Sequence, residues 1–250
     1  MARYPNIGPK HRLKAHFDAS EIEVKTRVPR KVIFLYSKHM VKGVVRTLRL
    51  VPFRAGNIGE VGAVMMKSYT TRDSKLLVMV MALGSPIVAG TMEILIRSGA
   101  RQFLILGSAG AISPKLKIGD VVVCTKAVRD EGVSHHYLPP GKYVPADMGL
   151  VRKLASFREI WPVTEGPTWT IDAFFAETKK EIRAYSREGV LTVEMEAAAA
   201  FAVARKRKVK AAAVFSVSDL LYKKRWSGFG EERKEGYKRL IQLAAFFKDI

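Results

Sequence analysis

The chain is short of several things, and each shortage excludes something. It has one cysteine in 250 residues, so no internal disulfide framework can hold it. That cysteine, Cys124, closes the apolar run Val121-Val122-Val123-Cys124, where a buried, inert thiol is expected and nothing nearby would activate a nucleophile. No apolar run reaches the roughly 18 residues that a membrane-crossing helix needs. The basic arm 1–31 contains no apolar core of the kind a signal peptide carries, so a cytoplasmic location is expected. Amides are nearly absent: Asn6, Asn57, Gln102 and Gln242 are the full set. Few amides among many charges resembles the composition of a thermophile's protein.

Acidic charge is the last shortage. The chain holds 23 Asp and Glu against 43 Lys and Arg, for a net charge of +20. Nucleic acid is the first partner such a balance raises. The basic residues are spread over the whole length and are not interleaved with aromatics, which disfavours it. The densest run, Arg205-Lys206-Arg207-Lys208, follows an Ala-rich segment and suits the last turn of a helix, where cations complement the dipole. An excess of positive charge favours anionic small molecules near a cleft. The adjacent His135 and His136 lack convergent Cys or carboxylate partners, so no metal is expected, and packing or substrate contact both remain open for them.

What is present is an alternation of buried strands and helices. With 48% hydrophobic residues, one domain spanning 1–250 is expected, preceded by the basic arm. Val32–Leu35, Leu76–Met81, Phe103–Leu106, Val121–Thr125, Val190–Val193 and Lys210–Val217 predict strands. Ile87–Ser98 after Pro86, Ala197–Arg207 and Glu231–Phe247 predict helices. This order predicts an α/β fold with a mostly parallel sheet and helices on both faces.

Chemistry gathers where strands end. Glu194 and Glu196 follow one apolar run, and Ser218-Asp219 closes the next. Acids at the carboxyl ends of strands in such sheets lie where ligands bind. A helix cap for Glu194 and a surface pairing of Glu196 with Arg205 or Lys206 form the bland alternative. Gly107-Ser108-Ala109-Gly110 predicts either a tight turn needing positive φ or a backbone that lets a ligand approach.

Taken together these residues resemble the nucleoside phosphorylase superfamily, the group that includes uridine phosphorylase, hexameric purine nucleoside phosphorylase and methylthioadenosine nucleosidase. The likeness runs from about Val32 to the C-terminus. It is carried by Phe103 to Ile112, Ile118 to Val123, Ala127 to Pro139 and Val193-Glu194-Met195-Glu196-Ala197-Ala198. The third of these blocks is similar to the uridine phosphorylase branch. The resemblance implies a single-domain α/β fold with a twisted mixed central β-sheet flanked by helices. It implies cleavage of a nucleoside's N-glycosidic bond by inorganic phosphate, with no cofactor and a homo-oligomer, dimer or hexamer.

The roles follow residue by residue from that resemblance. Glu196 would accept hydrogen bonds from the ribose hydroxyls beside Met195, and Ser108 would touch ribose and phosphate. Gly107 would leave room for phosphate. Phe174 and Phe175 would face base and sugar, and Asp219 would protonate the leaving base. His16 would reach a neighbouring subunit's ribose.

The chain also departs from the pattern. The family's Gly-Asp-Pro-x-Arg phosphate loop is Tyr36-Ser37-Lys38-His39-Met40 here, and its second phosphate arginine is Ile105. Two guanidinium groups, the bidentate clamp for a dianion, are thereby missing. Lys38, Lys42 or Lys67 would have to compensate. Thr178 and Lys180 stand where uridine phosphorylases read uracil. Phosphorolysis, hydrolysis and nucleoside binding without catalysis all remain open, as do purine and pyrimidine bases.

Overall fold

In the computed structural model, residues 10–21, 24, 26–53, 66–223 and 231–250 are described. Part of the basic arm (residues 1–9, 22, 23 and 25) lies outside them. In chain order come β1 (Lys31–Leu35), α1 (Lys38–Thr47), β2 (Val51–Pro52), β3 (Ser68–Thr70), β4 (Leu76–Val80) and α2 (Ser85–Arg97). Next are β5 (Gln102–Ala111), β6 (Val121–Asp130), α3 (Ser134–Tyr137), β7 (Tyr143–Pro145), α4 (Met148–Ala155) and β8 (Val163–Ile171). Then come α5 (Lys179–Arg187), β9 (Thr192–Glu194), α6 (Ala197–Arg207), β10 (Lys210–Leu220) and α7 (Glu232–Asp249).

The sheet closes on itself. β5 pairs with β10, β10 with β6, β6 with β8, β8 with β9, and β9 returns to β5. From β5 an open wing continues through β1, β4, β3 and β2, while β7 flanks β6. Ring closure leaves its five strands without a free edge. The longest pairings, β1–β4, β1–β5, β5–β10 and β6–β8, are parallel as expected, but the sheet is not parallel throughout. β5–β9 and β6–β10 run antiparallel, as do β3–β4, β2–β3 and β6–β7. The sheet is mixed, as the family resemblance implied.

Two strands run further than their apolar cores. β5 continues through Gly107-Ser108-Ala109-Gly110, so this segment is strand and not turn. Neither glycine has positive φ. What they supply is lateral room: a Cβ on Gly107 would sit 3.2 Å from Cβ of Tyr36, and one on Gly110 would sit 2.4 Å from Cδ1 of Leu221. β10 likewise continues past Val217, with a shift in pairing register between Val217 and Asp219. A bulge of this kind re-aims a side chain at the end of a strand.

Helix α6 occupies the centre. Residues Ala197 to Ala204 are all buried, which a helix with a polar face could not tolerate. Its alanines make it thin enough to lie close to the ring. Its basic last turn emerges at the surface, where Arg207 contacts Glu93 at 2.8 Å and Asp18 at 2.8 Å. Cys124 is buried in the core, its thiol donating to the Lys126 carbonyl, and burial pushes its pKa up. Among the described residues no helix is long and apolar enough to cross a membrane.

Candidate active site

The two acids after β9 divide their work. Glu194 caps α6: its Oε2 accepts the backbone N–H groups of Glu196 at 2.9 Å and Ala197 at 2.8 Å. Thr170 completes the cap, donating to Glu194 Oε1 at 2.5 Å and accepting the Ala198 N–H at 3.0 Å. Three of the donors at the helix start are thus satisfied, while burial pushes the pKa of Glu194 up to about 7 against the pull of these hydrogen bonds. Capping had been one reading of Glu194, and it is the observed one. Glu196 is different. It is 4% exposed and meets neither Arg205 nor Lys206. Its Oε1 accepts the Gly84 N–H at 2.7 Å, just before α2. Burial, and then the negative charge of Glu194, push its pKa well above the usual carboxylate range.

Glu196 opens into a cavity of about 400 Å³. Gly107, Ser108, Phe174, Phe175, Met195 and Asp219 share its walls. Segments distant in sequence meet there because β5, β9 and β10 are adjacent in the ring. The bulge at Ser218 turns Asp219 toward the cavity, and the Ser218 hydroxyl donates to Asp219 Oδ1 at 2.6 Å. The Ser85 hydroxyl donates to the Met195 carbonyl at 2.9 Å, tying the loop between β9 and α6 to the start of α2. Phe174 and Phe175 contact each other with ring centroids 4.1 Å apart, at the mouth.

Several expected residues are elsewhere. Lys38 is the exposed first residue of α1 and does not line the cavity, and Lys42 and Lys67 are exposed outside it too. Met40 is fully buried in the core. His16 lies on a second cavity of about 890 Å³ together with Lys14, His136 and Arg207. It does not line the Glu196 cavity of its own chain. His135 contacts the Arg129 carbonyl through Nε2 at 3.1 Å, and Arg129 binds the Ser134 and Pro139 carbonyls. That block therefore builds its own loop. Thr178 caps α5 and is matched by Glu181 in a capping box, while Lys180 is exposed. Neither lines the cavity.

Tyr36 entered the sequence reading only as a departure from the family's phosphate loop, and Glu177 did not enter it at all. Tyr36 lines the cavity where the family has glycine, packed against Gly107, with its hydroxyl buried and without a hydrogen-bond partner among the described residues. Glu177 lines it half-buried, its pKa pushed up to about 7 by burial and then by Asp219 and Glu181. Its place just after the aromatic pair was the available clue. Among the described lining residues there is no Lys, Arg or His, and Glu177, Glu194, Glu196 and Asp219 all contribute acids.

Comparison with known proteins agrees with this architecture. The family model of the phosphorylase superfamily matches residues 18–245. A guanosine phosphorylase from Halorubrum lacusprofundi is 30% identical over 169 residues, covering 64% of this chain and 70% of that protein. A DeoD-type purine nucleoside phosphorylase from Myxococcus xanthus is 32% identical over 179 residues, covering 70% and 74%. Among solved structures, uridine phosphorylase from Vibrio fischeri superposes with a TM-score of 0.74 at 20% identity, covering 92% and 93% of the two chains. Purine nucleoside phosphorylase from Toxoplasma gondii does so with a TM-score of 0.77 at 20% identity, covering 90% and 96%. The chain is a member of the phosphorylase superfamily.

Proposed function

We propose that this protein cleaves the N-glycosidic bond of a purine nucleoside, with inorganic phosphate as acceptor and no cofactor. One observation carries the reading: Ser108, Met195, Glu196, Asp219 and the Phe174–Phe175 pair line one cavity. Cleavage builds positive charge on the sugar ring, and an acid held beside it stabilises that charge more than it stabilises the substrate. Ribose hydroxyls donating to Glu196 favour its ionised form, so sugar binding itself readies the carboxylate. Asp219, steadied by Ser218, is the group for the leaving base at N7. A purine is favoured because Asp219 is in the cavity while Thr178 and Lys180 are not. The relatives named guanosine and purine nucleoside phosphorylase support the same choice. A homo-oligomer, dimer or hexamer, belongs to this reading. Leu83, Phe174 and Phe175 are 57%, 47% and 94% exposed at the mouth, an apolar rim suited to a second copy.

A second reading has its own observation. Hydrolysis is favoured by the Tyr36 ring against Gly107, by Ile105 in place of an arginine, and by a described lining without cations. A phosphate dianion among acids alone is poorly held. Purified protein incubated with guanosine, inosine or uridine, with and without phosphate, decides between the two. Release only with phosphate supports phosphorolysis, and equal release without it supports hydrolysis. No release from any nucleoside overturns both and leaves a binding protein.

A further inference from the structure

Two neighbouring cavities carry opposite charge. The Glu196 cavity is lined by acids, whereas a groove of about 290 Å³ beside it is lined by Lys179, Arg183, Arg187 and Lys223, with no acid among its described lining residues. The two spaces share one wall, Leu221. Its Cδ1 lies 2.4 Å from where a Cβ on Gly110 would sit, so the leucine packs directly on β5.

Helix α5 arranges the cations. Lys179, Arg183 and Arg187 are four residues apart, so they lie above one another on one face, with a rise of about 6 Å between them. Like charges at this spacing repel, and Lys179 stands in the first turn, at the positive end of the dipole. The acids of this segment are engaged elsewhere. Glu181 closes the capping box with Thr178, and Glu188 meets Lys142 Nζ at 2.6 Å. Among the described residues none of the four groove cations makes a side-chain hydrogen bond or an ion pair. The floor of the groove is apolar. Ile112 and Ile182 are buried there, and the Tyr222 hydroxyl donates to the Leu116 carbonyl at 3.1 Å, which fixes its ring.

A row of cations that repel one another is matched by a ligand with several negative charges in a row. Phosphate groups joined in a chain supply them, and the guanidinium fork fits phosphate oxygens in pairs. A lone carboxylate would leave most of the row unmatched. We infer that this groove is a binding site for an oligophosphate chain, either inorganic or the tail of a nucleotide, and that it is separate from the Glu196 cavity. In a nucleotide the base has the Tyr222 ring and the two isoleucines to rest on.

Calorimetric titration with inorganic tripolyphosphate, GTP and guanosine tests this on wild type, on the double variant Arg183→Ser/Arg187→Ser and on Lys14→Ser. Lys14 lies on the other basic cavity, and all three substituted side chains are exposed, so each variant should fold. Circular dichroism checks that they do. Wild type is expected to bind one tripolyphosphate per chain, and the double variant to bind it at least about tenfold more weakly, the scale of a lost charge-assisted contact. Lys14→Ser should match wild type, and guanosine should not displace the anion. GTP that binds more tightly than tripolyphosphate identifies a nucleotide as the source, and GTP that binds no tighter identifies the inorganic chain. Undiminished binding of both anions by the double variant, an equal loss in Lys14→Ser, displacement by guanosine, or no saturable binding at all overturns the proposal.

Discussion

Glu196 Oε1 accepts the backbone N–H of Gly84 at 2.7 Å, across 112 positions of sequence. Gly84 has φ of 109°, a conformation that suits glycine, so the donor can point back from the start of α2 toward β9. The bond holds one carboxylate oxygen in place and fixes the orientation of the other. Everything proposed for the sugar depends on that orientation.

Glu196→Gln keeps an acceptor for Gly84 but cannot carry charge. Turnover is expected to fall by about 10²–10³-fold, the scale seen when a transition-state electrostatic contact is removed. Steady-state rates on the best nucleoside check this, and a variant within a few-fold of wild type would remove Glu196 from the chemistry.

The same substitution should stabilise the fold at alkaline pH. Burial and Glu194 raise the pKa of Glu196 in the native state, so the native protein binds its proton more tightly than the unfolded chain does. Stability from that proton is full below the unfolded pKa and is lost as pH rises through the folded one. Thermal unfolding near pH 8 should therefore find Glu196→Gln more stable than wild type by on the order of 1 kcal/mol, about 2–4 °C for a chain of this length. Below about pH 4 the difference should shrink to nothing. A gap that widens on acidification would contradict the assignment.

Glu194→Ala should behave in the opposite way. It removes the acceptor for the Glu196 and Ala197 N–H groups and leaves the Thr170 hydroxyl without its acceptor. A loss of about 1–3 kcal/mol is expected for a buried cap of this kind, visible in urea unfolding at any pH above neutrality. Equal stability of Glu194→Ala and wild type would mean that α6 finds another cap.

Tyr36→Phe removes a hydroxyl that is buried without a partner among the described residues. Stability should stay level or rise by up to about 1 kcal/mol, since an unsatisfied polar group is relieved. Tyr36→Gly, by contrast, clears the ring from Gly107, where phosphate approaches in the family. If hydrolysis is the native reaction, this variant should gain phosphate dependence. An unchanged response to phosphate would show that Tyr36 does not occupy the acceptor's seat.

Gly110→Ala places a methyl 2.4 Å from Cδ1 of Leu221 and 3.3 Å from Oδ2 of Asp219. Overpacking of this kind costs about 1–3 kcal/mol, and the displaced Asp219 should lower activity further than the stability loss explains. Measuring kcat at a temperature where the variant is fully folded separates the two effects.

The sequence by itself determined the local elements and the chemistry they carry. Ala197–Arg207 is a helix with the predicted bounds, because a run of strong helix formers needs no tertiary help to declare itself. Met195-Glu196 and Ser218-Asp219 announced the site through their place after apolar runs. Other features were written too faintly. β8 carries Gly166 and Pro167 in its middle and did not read as a strand, yet it closes the ring through β6 and β9. The 107–110 segment stayed open between a tight turn and a close-approach backbone because glycine has two uses, positive φ and close approach, and composition does not distinguish them. Only the tertiary structure decided that Glu194 caps while Glu196 faces the cavity. Side chains two apart on a chain that leaves a strand for a helix diverge according to the dihedrals between them. Only it, too, brought Tyr36 and Glu177 to the same cavity, since that meeting depends on which strands become neighbours and not on any spacing along the chain.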